Sequence, residues 1–206
     1  MLPDTILHIA NEEKFHWLLQ PELKAIKDGL IYVEDKDCDF HRDCKYTGYL
    51  NAQGQRQGVG IETGRLYLFI GEWHENKLHG IAKKEHKDFE DVWGQFKHGK
   101  EEGYLTKKYY NGRVSYYQYK NGKENGYGIR LYLGEVEYRG EFKDGNYDGY
   151  GLIKFQDNDE YDGQWENGYR HGEGVNKVAS TGRVERIIYD GHKAKEVVLE
   201  VIEQGH

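Results

Sequence analysis

The sequence predicts an all-β repeat protein: an elongated, twisted antiparallel meander of stacked β-hairpins, with a small, partly helical N-terminal cap. Three observations predict it. Glycine and aromatic residues recur at a fixed interval of 23 residues along most of the chain. Within each interval large and small side chains alternate with the period of two that a strand imposes. Asn-Gly or Asp-Gly pairs then mark the reversal, where a two-residue hairpin turn needs positive φ.

Four columns carry the period. The first is the glycine of a Tyr-x-Gly unit: Gly48, Gly71, Gly94, Gly140 and Gly163, with Tyr117 where the remaining member would fall. Two residues on stand Leu50, Trp73, Phe96, Tyr119, Phe142, Trp165 and Ile188. The turn column is Gly99, Gly122, Gly145, Gly168 and Gly191, with Asn76 in the second repeat. The fourth is Gly58, Gly80, Gly103, Gly126, Gly149 and Gly172; its first interval is 22, so the first repeat has one extra loop residue. In "YDGQW", alternation puts Tyr161, Gly163 and Trp165 on one face. Gly172 and Gly174, two apart, read onto one face of the return strand. A ring lying over bare glycine backbone offsets the entropy that glycine costs inside a strand.

A lone hairpin is marginal in water, so each unit needs neighbours. At about 4.8 Å per strand each hairpin adds roughly 10 Å, so six would span about 60 Å before twist. Right-handed strand twist should coil the sheet.

Three regions follow. Residues 1–45 do not repeat and read as an N-terminal cap: "PELKAIKDG" (21–29) as a short helix between Pro21 and Gly29, "LIYVE" (30–34) as a strand pairing with the first hairpin. Residues 4–19 are apolar enough to pack, as a helix over the first sheet edge. Residues 46–192 hold about six and a half hairpin repeats. Residues 193–206, with "EVVLEVIE" as a final strand or short helix, read as the C-terminal cap over an otherwise open edge.

The pattern "YxGxWxxGxxxGxG" at this period resembles the MORN (membrane occupation and recognition nexus) repeat over residues 46–192. Tyr161, Gly163, Trp165, Gly168, Gly172 and Gly174 match it fully, as do Tyr138, Gly140, Phe142, Gly145, Gly149 and Gly151. Other repeats depart. The second has Phe69 and Ala82, the third Val92 and Leu105, the fourth Ser115 and Tyr117. Side chains should fill there what glycine leaves open. The resemblance implies an interaction module, and the family name implies phospholipid as one class of partner.

Composition narrows the function. Aromatics make up 14% of 206 residues, with 18 Tyr and 27 Gly, which argues against disorder. The net charge of −7 argues against nucleic acid and opposes binding to anionic membranes. Only local clusters, Lys83, Lys84 and Lys87 or Lys107 and Lys108, are basic. No apolar run reaches the roughly 18 residues of a membrane-spanning helix, and the N-terminus lacks a basic leader. A cytoplasmic, reducing setting is the expectation. Cys38 and Cys44 then read as solvated thiols in a connector, since Cys-x5-Cys near His41 is not a zinc-knuckle spacing. No metal and no cofactor is expected. His79 and His171 share one repeat position, four units apart, and read as loop residues. No phosphate loop, dinucleotide fingerprint, nucleophile elbow or carboxylate pair occurs, so no enzyme activity is expected.

What remains is surface. The first strand's other face carries Glu72, Gln95, Gln118, Glu141 and Gln164. Ile81, Tyr104, Tyr127, Tyr150 and Glu173 of the return strands share that parity, as do Trp93 and Tyr116. Tyrosine offers large, stiff, amphipathic contact area. The row therefore reads either as a groove for a partner peptide or helix, or as ordinary cross-strand packing. Alternatives are a phospholipid surface module and a chain that self-associates through its end strands, as a weak homodimer.

Overall fold

A computed structural model describes residues 30–38 and 43–189, and the backbone of residues 196–202. The expected helix over 21–29, the packing of residues 4–19 and the turn at Gly191 lie outside these. Among the described residues every regular element is a strand, and strands adjacent in sequence pair antiparallel within residues 31–109 and within residues 123–202.

The chain divides into two compact units, each described by itself. Among the described residues, the first runs from residue 30 to 111 with 119–122, and the second comprises 112–118 with 123 onward to 202. Strands of the first are β1 (Ile31–Asp37), β2 (Lys45–Leu50), β3 (Arg56–Thr63), β4 (Tyr67–His74), β5 (Lys77–His86), β6 (Glu90–Lys97) and β7 (Lys100–Tyr109). The second holds most of β8 (Arg113–Lys120), then β9 (Lys123–Tyr132), β10 (Glu135–Lys143), β11 (Asn146–Lys154), β12 (Glu160–Glu166), β13 (Tyr169–Val178), β14 (Arg183–Tyr189) and β15 (Glu196–Ile202). Strand β1 pairs with β2, as the reading of residues 30–34 expects. Residues 196–202 form a strand on β14 rather than a helix.

The hairpin of β12 and β13 shows why the repeat folds. Asn167 and Gly168 at its tip have φ of 50° and 85°, both positive, as a type I′ turn requires. The tips of neighbouring hairpins repeat this with His98 and Gly99, Asn121 and Gly122, and Asp144 and Gly145. Each turn glycine also donates its N–H to the preceding hairpin: Gly168 to the Tyr147 carbonyl at 2.8 Å, Gly99 to that of Leu78 at 2.8 Å. The turn column is therefore a stitch between hairpins as well as a reversal.

Tyr161 is fully buried, its ring lying across Gly163 and Gly174 of the paired strands. A Cβ on Gly174 would run into that ring. The phenol donates to the Gln164 carbonyl at 2.9 Å, satisfying a group that the ladder leaves open. Tyr138 repeats the arrangement over Gly140 and Gly151, donating to the Glu141 carbonyl at 3.2 Å. Tyr46 does so over Gly48 and Gly60, donating to that of Tyr49 at 3.1 Å. The tryptophan column joins consecutive hairpins: Trp165 Nε1 donates to the Gly151 carbonyl at 2.9 Å, and Trp73 Nε1 to that of Gly60 at 3.1 Å.

The irregular repeats fill the same space differently. Ala82 packs on Gly71 and Leu105 on Gly94. In the fourth repeat Tyr117 takes over from Ser115, and its ring covers Gly128. Cations lie above several rings: Arg56 over Tyr46 and Trp73, Lys84 over Phe96, Lys107 over Tyr119, Arg170 over Tyr161 and Tyr189. These contacts add to burial wherever the cation is itself desolvated.

One sequence expectation is overturned here. Gly172 and Gly174 do not share a face. Gly163 faces Gly174 and Trp165 faces Arg170, so three residues of β13 oppose Gln164 alone. This bulge turns Gly172 to φ 59°, and a Cβ there would meet the Gln164 side chain, not the Tyr161 ring. A bulge breaks strict alternation, which is what the two-residue spacing had assumed.

Candidate functional site

The face opposite the buried rings carries the expected partner-binding residues. Cross-strand register places Tyr127 beside Glu141, Tyr150 beside Gln164 and Ile81 beside Gln95. Tyr127 and Tyr150 are 41% and 61% exposed, while Tyr104 and Tyr116 are half-buried. Tyr150 accepts a 2.7 Å hydrogen bond from Gln164 Nε2. Beside it in the second unit lies a shallow depression of about 210 Å³, lined by Asp162, Glu173, Val175 and Arg186 among others. Trp93 is only 3% exposed, so it offers almost no contact area to a partner.

The Glu and Gln row has a structural task. Gln164 Oε1 accepts the Glu173 N–H at 3.1 Å, Glu141 the Tyr150 N–H at 3.2 Å, and Glu72 the Ile81 N–H at 3.1 Å. In each case the donor follows the bulge glycine. Gln95 and Gln118 point at the equivalent Gly103 and Gly126. These side chains fill the bulge and accept from backbone that the ladder no longer pairs. Spacing shows the row but not the bulge beneath it, so sequence reading sees only an exposed polar ladder.

A second surface has no counterpart in the sequence reading. At the connections between hairpins of the first unit, Leu66, Phe89 and Tyr110 are exposed, Tyr110 to 86%. They border a depression of about 560 Å³ that also takes in Arg65, Lys87 and Lys108. The basic clusters of the sequence are divided between faces. Lys84 lies over the Phe96 ring, and burial pushes its pKa down. Lys83, next to it, pairs with Glu85 at 2.6 Å.

Cys38 and Cys44 are joined by a disulfide, with Cα atoms 5.2 Å apart, and Cys44 is 2% exposed. They are not solvated connector thiols: Cys44, one residue before β2, has the inward parity of Tyr46 and Gly48. Disulfides are rare in reducing compartments, so this pair stands against that expectation. Cys44 Sγ lies 3.5 Å from Glu62, whose other oxygen is 2.6 Å from Arg56 and which also accepts from the Tyr67 phenol at 2.9 Å. Desolvation first, and this carboxylate second, push the Tyr67 pKa up to about 12. The arginine already balances the buried Glu62 charge, so the Cys38–Cys44–Glu62 cluster needs no cation for neutrality. His79 and His171 are not loop residues: they lie within β5 and β13, each one residue before the bulge glycine.

No helix among the described residues is long and apolar enough to cross a membrane. No curated protein matches the chain. The model of the MORN repeat family matches it five times, at residues 69–88, 94–112, 118–132, 138–160 and 161–175. The β2–β3 hairpin lies before these matches, yet its Tyr46 spans Gly48 and Gly60 just as Tyr161 spans Gly163 and Gly174. Five matches in successive register, on hairpins that share one packing plan, place this chain in the MORN repeat family.

Proposed function

We propose that this chain is a non-enzymatic interaction scaffold that takes a peptide or helix of a protein partner along the tyrosine-bearing face of its sheet. The observation that carries the reading is a division of labour among tyrosines. Tyr46, Tyr138 and Tyr161 are buried over glycines, while Tyr127 and Tyr150, of the opposite parity, are exposed. A peptide laid beside Tyr127 and Tyr150 would bury stiff aromatic area at little entropic cost. The acidic Asp162 and Glu173 beside Tyr150 favour a partner segment with basic residues.

The test is affinity capture with the wild-type chain beside Tyr127→Ala/Tyr150→Ala, identifying retained proteins by mass spectrometry. A protein held by wild type and lost from the double variant is the expected result. Capture of the chain itself or of lipid alone, equally by both, would remove the reading.

The exposed Leu66, Phe89 and Tyr110 with Arg65, Lys87 and Lys108 favour a second reading, a contact with a membrane surface. Vesicles containing anionic lipid should not co-sediment with the chain at physiological salt under the first reading. Under the second they should, with Phe89→Ser releasing the chain.

A further inference from the structure

His74, His79 and His98 come from β4, β5 and the β6–β7 turn, and the hairpin stack brings their rings together at one margin of the first unit. Ring centres are 4.9 Å apart for His79 and His98, 5.4 Å for His74 and His79, and 6.4 Å for His74 and His98. With metal–nitrogen bonds of about 2.0–2.1 Å and tetrahedral angles, imidazole centres around one zinc ion lie roughly 5 Å apart. Two of the three separations already have this size. His98 is exposed and stands at a hairpin tip, so turning its ring is the movement that would close the third.

A second observation points the same way. In four sister hairpins the side chain at the His79 position accepts the backbone N–H of the neighbouring turn, while His171, at the same position, leaves its buried Nδ1 without a hydrogen bond as His79 does. Gln57 accepts from Glu75 at 3.4 Å, Glu102 from Asn121 at 3.0 Å, Asn125 from Asp144 at 3.4 Å and Asp148 from Asn167 at 3.3 Å. His79 does not: its Nδ1 is buried with no hydrogen-bond partner. Buried polar atoms are seldom left so. His74 Nδ1 lies 3.2 Å from Gln57 Nε2, and its Nε2 is 3.9 Å from Glu75 Oε1. With Gln57 Nε2 donating to His74 Nδ1, the Nε2 of His74 is the nitrogen left to face a metal ion.

We propose that His74, His79 and His98 bind one imidazole-preferring divalent transition-metal ion of the zinc class, clipping the second hairpin to the third, with Glu75 beside the remaining position. This goes against the sequence expectation of no metal, since only stacking brings residues 74, 79 and 98 together.

The test uses the full chain, without reductant so that the Cys38–Cys44 disulfide stays closed, titrated with Zn²⁺ by calorimetry. The comparison is His79→Asn/His98→Asn. Asparagine already occupies both positions in sister hairpins, at Asn125 and at Asn121 and Asn167, so the fold should be kept. Wild type should bind one equivalent whose affinity falls at least about tenfold in the double variant. Zn²⁺ should raise the melting temperature of wild type and not of the variant, whereas His171→Asn should bind as wild type does. Equal stoichiometry and affinity in wild type and double variant, no binding by wild type, or loss of the same equivalent in His171→Asn would overturn the proposal.

Discussion

Tyr161 shows how much one residue and its spacing dictate. Its ring needs bare backbone beneath it on two strands, and Gly163 and Gly174 provide that. Gly174→Ala should therefore cost about 1–3 kcal/mol, as overpacking does, read by denaturant unfolding. Tyr161→Phe keeps the ring but leaves the Gln164 carbonyl unpaired, which should cost about 1 kcal/mol in the same measurement. Burial also sets the titration of these phenols. Desolvation pushes Tyr161 and Tyr67 up to about 12 from an ordinary 10.0. The neutral phenol is what the fold holds, so its contribution is complete below pH 10. Above that, the unfolded chain gives up protons that the folded chain retains, and stability falls until pH passes about 12. Melting temperature followed with tyrosinate absorbance should stay flat to near pH 10 and decline beyond it. Ring-over-glycine packing was legible because it needs only residue type and a period of two. The cations above the rings were legible only in part: Lys84 and Lys107 stand 23 residues apart, whereas the column of Arg56 and Arg170 holds Leu78, Glu101 and Glu124 between them.

At the scale of the hairpin, sequence reading went further for the turn than for the bulge. Asn-Gly and Asp-Gly carry a specific dihedral requirement, and the tips meet it with positive φ at both central residues. The bulge has no such signature. Glycines two apart look like regular alternation, and an exposed Glu/Gln ladder looks like a contact surface. Register reveals instead that each of these side chains accepts a hydrogen bond inside, or points into, its own hairpin's bulge. Gln164→Ala should cost about 0.5–1.5 kcal/mol and speed hydrogen exchange at the Glu173 amide. Gln164→Glu should be tolerated, since Glu72 and Glu141 do the same work in other repeats. Partner binding by this row would then rest on Tyr127 and Tyr150, with Glu141 and Gln164 shaping the surface between them.

For the whole molecule, the period of 23 residues gave an all-β hairpin series in chain order, and the strands follow it from β2 to β14. The division into two compact units was not legible. The repeat columns run through residues 112–122 without a gap, and a periodic sequence carries no mark where packing changes partners. The disulfide was missed for a related reason: a spacing of six residues fits a connector as well as a bridge, and only the pairing of β1 with β2 brings Cys38 to Cys44. The exposed margin of Leu66, Phe89 and Tyr110 carries no repeat signature, because the period fixes the strands and tips and leaves the connections between hairpins free to vary.

The buried tyrosines hold the fold, whereas the exposed Tyr127 and Tyr150 are the ones proposed to meet a partner. Thermal and denaturant unfolding of two variants tests this division most directly. Tyr161→Ala removes a fully buried ring and should cost about 3–5 kcal/mol. Tyr127→Ala/Tyr150→Ala should cost less than about 1 kcal/mol in total, as exposed positions do. If the double variant instead loses as much stability as Tyr161→Ala, or fails to fold, those tyrosines belong to the core and the sheet has no free aromatic face to offer.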